Sequence, residues 1–394
     1  MNGERIVNSP SLRQKTRDAR RVVVKLGSNL FFNPEGELAL DRITSLIEDI
    51  ARARVAGLQI IAVSSGAVAL GANALKMKSQ SALLAQKQAF AAVGQSRLMS
   101  IYEQGFAKFG LTPAQILLTE EDFSNRKRYL NLRNTLMTLL EMGVIPIINE
   151  NDTVSTIELE ETDRSASFSD NDKLSALVMS KLEAQLLILL SDVDGLFTDN
   201  PHDNPSARLI PQVQVITPEI EALAGRKSSR GRGGMASKLQ AAEIAMNSGG
   251  MAIIANGLKS GVLGRIFGGE PEGTLFAGNS ETLSGKRRWI AFASSVAGRI
   301  HINAGALEAI AKKNASLLFA GIVRIENEFE SGDVVAIIGP EGAEMARGIA
   351  NYSSADATKL MGKQSADIER LASTRNYDAF VTRDNIAFTS KNHE

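Results

Sequence analysis

Val22-Val23-Val24-Lys25-Leu26-Gly27-Ser28 decides the fold. A β-branched, aliphatic run that ends in a lysine and breaks at Gly-Ser reads as a short strand covered on both faces, with its end opening into a polar turn. The same form returns along the chain. Gln59–Val63 runs into Ser64-Ser65-Gly66-Ala67, and Val144–Ile148 runs into Asn149-Glu150-Asn151-Asp152. Leu186–Leu190 runs into Ser191-Asp192-Val193-Asp194, and Met251–Ala255 is a further strand of this kind. Between these runs lie helical patterns, such as Leu239, Ala242 and Met246 at spacings of three and four after Ala236. Strand and helix in alternation predict βαβ units, and hence an α/β fold: an open, mainly parallel sheet sandwiched by helices.

The pattern changes after Gly278–Arg288, a polar stretch containing Gly and Ser. Beyond it the apolar runs Gly298–Ile302, Gly321–Ile325, Val334–Ile338 and Arg347–Ala350 are short and separated by turn residues, with one helix expected near Ala304–Lys312. A small, mainly-β second domain follows. The expected organisation is a catalytic domain over 17–278 and a second domain over 286–375. The basic stretch before Arg21 has no apolar segment and reads as a disordered lead-in.

Composition removes several function classes. Lys plus Arg and Asp plus Glu both total 44 in 394 residues, so no overall charge draws the chain to nucleic acid or an anionic membrane. Any anion site must be local. Without cysteine there are no disulfides, thiol nucleophiles or Cys-based zinc sites. His202, His301 and His393 stand in no metal-ligand spacing, and no protein-built metal site is expected. The apolar runs fall short of the roughly 18 residues of a membrane helix, so a cytoplasmic protein that does not engage a membrane is expected.

Ligands of open parallel sheets bind outside the carboxyl ends of the strands, where every one of these polar motifs falls. Lys25-Leu26-Gly27-Ser28 can serve a phosphate, or its lysine can simply reach solvent from a strand end. Ser64-Ser65-Gly66-Ala67 opens a helix and suits an anion, or merely caps it. Asn149-Glu150-Asn151-Asp152 and Ser169-Asp170-Asn171-Asp172-Lys173 offer amides and carboxylates able to hold an ammonium and a carboxylate together. Ser191 to Thr198 reads as a nucleotide-facing turn or an Asx turn. Gly231-Arg232-Gly233-Gly234-Met235-Ala236-Ser237-Lys238 is a phosphate cradle by composition, though it is not a Walker A loop. Two lysines, an anion loop and no candidate histidine base suit phosphoryl transfer to an acceptor ionised beforehand. A carboxylate, with a pKa near about 4.3, needs no general base at neutral pH.

Together, Lys25-Leu26-Gly27-Ser28, Ser64-Ser65-Gly66-Ala67, Ala92-Val93-Gly94-Gln95-Ser96, Asn149-Glu150-Asn151-Asp152 and Gly233-Gly234-Met235 with Lys238 resemble the glutamate 5-kinase branch of the amino acid kinase family. Trp289, Gly332-Asp333-Val334-Val335, Arg347-Gly348 and Tyr352-Ser353-Ser354 resemble a PUA domain. The resemblance implies ATP and Mg2+ as cofactors and transfer of phosphate to the γ-carboxylate of L-glutamate, the first step of proline synthesis. It implies that Lys25 and Lys238 stabilise the transferring phosphoryl group while Asp172 holds them. Ser65, Asp152 and Asn171, helped by Asn149, would bind glutamate. Lys25, Ser191 and Asp192 with Arg232, Gly233, Gly234, Met235, Ala236, Ser237 and Lys238 would line the nucleotide site. It further implies feedback inhibition by proline, a homo-oligomer (dimer or tetramer) and RNA binding by the second domain. Two features depart from the family pattern: Arg232 where threonine is usual, and a long stretch from Ile157 to Ser169 that puts serine in place of glycine before Asp170.

Overall fold

A computed structural model describes residues 10–78, 82–119, 121–124, 126–154, 171–201, 203–224, 234–278, 290–291, 296–313, 315–363 and 379–389. The described residues fall into two compact units, one within 1–120 and 132–282, the other within 121–131 and 283–394.

The first unit is built on strands β1 (Arg21–Leu26), β2 (Gln59–Ser64), β3 (Pro113–Leu118), β4 (Ile145–Glu150), β5 (Leu186–Ser191), β6 (Gln212–Val213), β7 (Met251–Asn256) and β8 (Thr274–Ala277). They form one sheet in the order β3-β4-β2-β1-β5-β7-β8-β6, parallel at every pairing except β7 with β8. From β1 the chain winds first to one side, through β2, and later to the other, through β5. The switch of winding direction therefore lies at β1, where a crevice opens outside the strand ends. Register sets the polar motifs side by side: Leu26 pairs with Ser64 and Leu190, Val63 with Ile148, and Ser191 with Asn256.

Helices α1 (Pro10–Arg17), α2 (Leu40–Val55), α3 (Ala67–Ala74), α4 (Leu84–Ala107), α5 (Glu121–Ser124), α6 (Arg126–Glu141), α7 (Asn171–Lys181), α8 (Pro218–Ala222), α9 (Met235–Asn247) and α10 (Val262–Phe267) complete the elements of this stretch. Successive side chains of a strand point to opposite faces. Val22, Val24 and Leu26 accordingly join Ile188, Leu190 and Ile253 in a core with α2, α4 and α10. Lys25, of the opposite parity, points toward α7, which packs against α9.

Two expectations change. β4 and β5 continue past their aliphatic runs and bury Asn149, Glu150 and Ser191, because the ladder extends into the polar motifs. The lead-in is also not wholly disordered, since α1 docks through Arg13. The Arg13 guanidinium donates to the carbonyls of Glu272 (2.7 Å), Pro211 (2.9 Å) and Gly273 (3.0 Å), while Leu12 is buried. Burial lowers the pKa of Arg13 from its ordinary value. β3, β6 and β8 were not among the strands legible in sequence, and β3 is a half-exposed edge strand.

The second unit contains β9 (Gly298–Ile302), β10 (Ile322–Glu326), β11 (Val334–Ile338), β12 (Glu344–Ile349) and β13 (Ile386–Phe388), in the order β10-β9-β11-β12-β13. Helices α11 (Ala304–Lys313) and α12 (Ser354–Leu360) accompany the sheet. It has its own core, in which Phe319 meets Tyr352 and Phe380 edge to face at 5.1 and 5.7 Å. Trp289 and most of the polar stretch 278–288 lie outside the described residues.

Candidate active site

The carboxylate of Asp172 organises one half of the crevice. It stands in the first turn of α7, with no exposed surface. Lys25 Nζ at the end of β1 lies 2.6 Å from its Oδ1, and Lys238 Nζ in α9 lies 3.0 Å from its Oδ2. Ser237 adds a hydroxyl at 3.1 Å from Oδ2. Both lysines are 4% exposed, so neither simply reaches solvent from the end of its element. Burial by itself would raise the Asp172 pKa, but the charges and hydrogen bonds of Lys25 and Lys238 outweigh it and hold the group down to about 2. Two ammonium groups share one carboxylate, so this trio carries net positive charge and suits a polyanion.

A neutral half adjoins it through the neighbouring residue. Asn171 Nδ2 donates to Ser65 Oγ at 2.8 Å and to Asn149 Oδ1 at 3.1 Å. Asn149 Nδ2 in turn donates to Gln95 Oε1 at 3.0 Å. Asp152, just beyond β4, is 6% exposed. Its Oδ1 and the Oδ1 of Asn171 are buried with no hydrogen-bond partner among the described residues. Buried acceptors without donors are costly, and a ligand that carries donors would satisfy them. An α-ammonium is such a ligand.

The third part holds the residues expected to line a nucleotide. A Cβ on Gly27 would lie 3.1 Å from the Leu190 carbonyl, 3.8 Å from Lys25 Nζ and 4.0 Å from Ser191 Cα. A side chain here would press on the Leu190 carbonyl and require the ends of β1 and β5 to give by a few tenths of an ångström. Ser191 is buried and its hydroxyl donates to Asp192 at 3.0 Å, while exposed Asp192 also accepts from Asn29 Nδ2 at 2.9 Å. Asp194 accepts from Asn256 Nδ2 at 2.9 Å and pairs with Lys259 at 2.7 Å; those hydrogen bonds, Lys259's first, lower its pKa. Gly234 caps α9, and Met235, Ala236 and Ser237 form its first turn, whose free N–H groups suit phosphate. Arg232 and Gly233 lie outside the described residues, as do Ile157 to Ser169.

The structure thus brings Lys25, Asp172, Lys238 and Ser237 together, and separately Ser65, Asn149 and Asn171, with Asp152 directly beyond the strand that carries Asn149. The sequence shows Gln95 only as part of a motif, with no role of its own, and gives no role to Asn29, Asn256 or Lys259. Asn29 directly follows Lys25-Leu26-Gly27-Ser28, and Asn256 directly follows the run Met251–Ala255. Position at a strand end could have found both.

The amino acid kinase family model matches residues 20–256, and the PUA domain model matches 298–372. The chain is 45% identical to a glutamate 5-kinase of Trichlorobacter lovleyi over 93% of this chain and 96% of that one. It is 43% identical to a glutamate 5-kinase of Moorella thermoacetica over the same shares. Among solved structures it is similar to a carbamate kinase from Giardia lamblia bound to AMP-PNP, with a TM-score of 0.47, 18% identity, and coverage of 67% of this chain and 100% of that one.

Proposed function

This chain belongs to the amino acid kinase family, and from that premise we propose that it transfers the γ-phosphoryl group of ATP to the γ-carboxylate of L-glutamate, giving L-glutamyl 5-phosphate and ADP. One observation carries the reading: a buried carboxylate holding two lysines, in a helix turn whose preceding residue lines a pocket of unsatisfied acceptors.

The chemistry follows from the two halves. Asp152 and the Asn171 carbonyl receive the α-ammonium of glutamate, and Ser65 lies beside them for its α-carboxylate. The γ-carboxylate is ionised at neutral pH and attacks the γ-phosphorus directly. An O–P bond forms as the bond to the bridging oxygen of ADP breaks, and no proton has to move. Charge on the transferring group spreads over its equatorial oxygens, where Lys25 and Lys238 neutralise it. Asp172 prevents the two ammonium groups from repelling one another out of position. Gly234 to Lys238, with Ser191 and Asp192, line the phosphates and the nucleoside.

Magnesium enters as MgATP, the substrate. Among the described residues no group of three metal-ligating side chains exists, and the Asp172 oxygens face lysines. When MgATP binds, phosphate oxygens and water would hold the ion, as is usual for Mg2+. No helix among the described residues is long and apolar enough to cross a membrane. The finer expectations stand as part of the proposal: a cytoplasmic homo-oligomer, inhibition by proline through the glutamate half, and RNA contact by the second domain.

The test is ATP turnover with hydroxylamine trapping. L-Glutamate should yield the hydroxamate, whereas N-acetylglutamate, which lacks the ammonium charge, and aspartate, one methylene shorter, should not. Equal activity with N-acetylglutamate would refute the assignment.

A further inference from the structure

We infer that Gln95 is a positioning residue for the amino-acid substrate: its carbonyl fixes the orientation of the Asn149 amide, and through it that of Asn171. The inference rests on the glutamate reading of the pocket and extends it beyond the residues that touch substrate.

Gln95 sits in the middle of α4, a helix whose other inward positions include Phe90, Ala91, Leu98, Tyr102 and Phe106. At 7% exposed it occupies a place where an apolar residue is the rule, and burying an amide costs free energy unless it is hydrogen-bonded. The neighbouring glycine brings it within reach of the site. A Cβ on Gly94 would stand 1.7 Å from the Ala67 carbonyl, so α4 rests against the first turn of α3, directly behind Ser65 and Gly66. From there Gln95 Oε1 accepts the Asn149 amide at 3.0 Å. Gln95 Nε2 has no hydrogen-bond partner among the described residues, which makes the carbonyl the working end of the side chain.

The three amides form a directed chain. Asn171 donates to Asn149, and Asn149 donates to Gln95. An asparagine amide has nearly the same shape either way round, so only its partners distinguish carbonyl from NH2. Without an acceptor at position 95, Asn149 loses the bond that holds its NH2 away from Asn171. A turned Asn149 would set NH2 against NH2, and Asn171 would have to turn as well. Its NH2 would then take the place of the carbonyl facing the α-ammonium, donor against donor. Gln95 therefore acts on recognition of the amino acid and leaves the lysines of the phosphoryl half untouched.

The test uses the full chain and two substitutions. Gln95→Met keeps length and approximate volume but removes the acceptor, and should raise the KM for L-glutamate by about tenfold or more, with kcat and the KM for ATP within about threefold of wild type. Gln95→Glu keeps an oxygen toward Asn149 and should hold the glutamate KM within about threefold. In an Asn149→Ala background, Gln95→Met should add no further increase, because the two residues act through one bond. A glutamate KM unchanged in folded Gln95→Met overturns the inference, as does full additivity with Asn149→Ala. If Gln95→Met does not fold, a tenfold higher glutamate KM in folded Gln95→Glu overturns it. If wild type makes no hydroxamate from glutamate, the reading of the reaction fails instead; an active wild type with an indifferent Gln95→Met fails this inference alone.

Discussion

The two halves of the crevice solve the problem of burying polar groups in different ways. Around Asp172 the groups are charged and mutually satisfied, with two lysines and a serine converging on one carboxylate. Around Asn171 they are mostly neutral and joined in a one-way chain of amides, with the Oδ1 acceptors of Asn171 and Asp152 left without donors among the described residues. The first arrangement is complete without substrate, as a preorganised charge must be if it is to stabilise a transition state without rearranging. The second leaves acceptors open, which in the proposed reading a ligand's donors would meet, and such a pocket rejects molecules lacking the matching donors. Consecutive residues, Asn171 and Asp172, belong one to each half.

Breaking the charged half should have the largest effect. Asp172→Asn removes the carboxylate that the two buried lysines share, and should lower kcat by about 10²–10³ while destabilising the fold by about 3–5 kcal/mol. Lys25→Ala or Lys238→Ala should lower kcat by a similar factor, about 10²–10³. Single-turnover kinetics and thermal melts would check both effects, and near-normal kcat in any of the three would remove this half from the chemistry.

Breaking the neutral half should show in binding. Asp152→Ala removes the carboxylate proposed to receive the ammonium and should raise the glutamate KM by about 10–100-fold, equivalent to about 1.5–3 kcal/mol for a hydrogen bond to a charged group. The KM for ATP should stay near wild type. A kcat loss as large as that of Asp172→Asn would erase the distinction between the halves.

Acid should separate them too. Despite its burial, the charges of Lys25 and Lys238 hold Asp172 down to about 2 in the folded chain, below its ordinary value of 3.8. A carboxylate depressed in this way contributes stability that is complete above the ordinary value and is lost as pH falls through the folded one. The stability gap between wild type and Asp172→Asn, read from urea midpoints, should be constant above about pH 5 and close as the pH falls from 3.8 toward about 2. Asn149, Asn171 and Gln95 do not titrate, so the gap for Asn149→Ala should persist through this window.

The smallest kinetic effect should come from a control outside both halves. Arg13→Ala removes three guanidinium hydrogen bonds to carbonyls and should cost roughly 1–3 kcal/mol of stability. Calorimetry would show a lower Tm, with kcat unchanged well below it.

What could be read from sequence follows one rule: information lay wherever a polar motif abuts an apolar strand. Parallel packing turns such local order into a shared edge, so Lys25, Ser65, Asn149 and Ser191 were legible as site candidates before any contact was known. The alternation of runs likewise determined the α/β class, and the shift in pattern near 278–288 a second, mainly-β region. Other features depend on partners distant in the chain. Lys25 could equally have reached solvent, until α7 and α9 closed over it. The docking of α1 rests on Arg13 meeting carbonyls about 200 and 260 residues away. Gln95 is legible only as part of a family motif and not as an inward-facing residue, because a glutamine within a helical pattern looks like any solvent-facing position. Only the close approach of α4 to α3 turns it inward to Asn149. Strand ends are written in neighbouring residues and can be read there, whereas the hydrogen bonds that orient a site join residues far apart in sequence and exist only once the chain has folded.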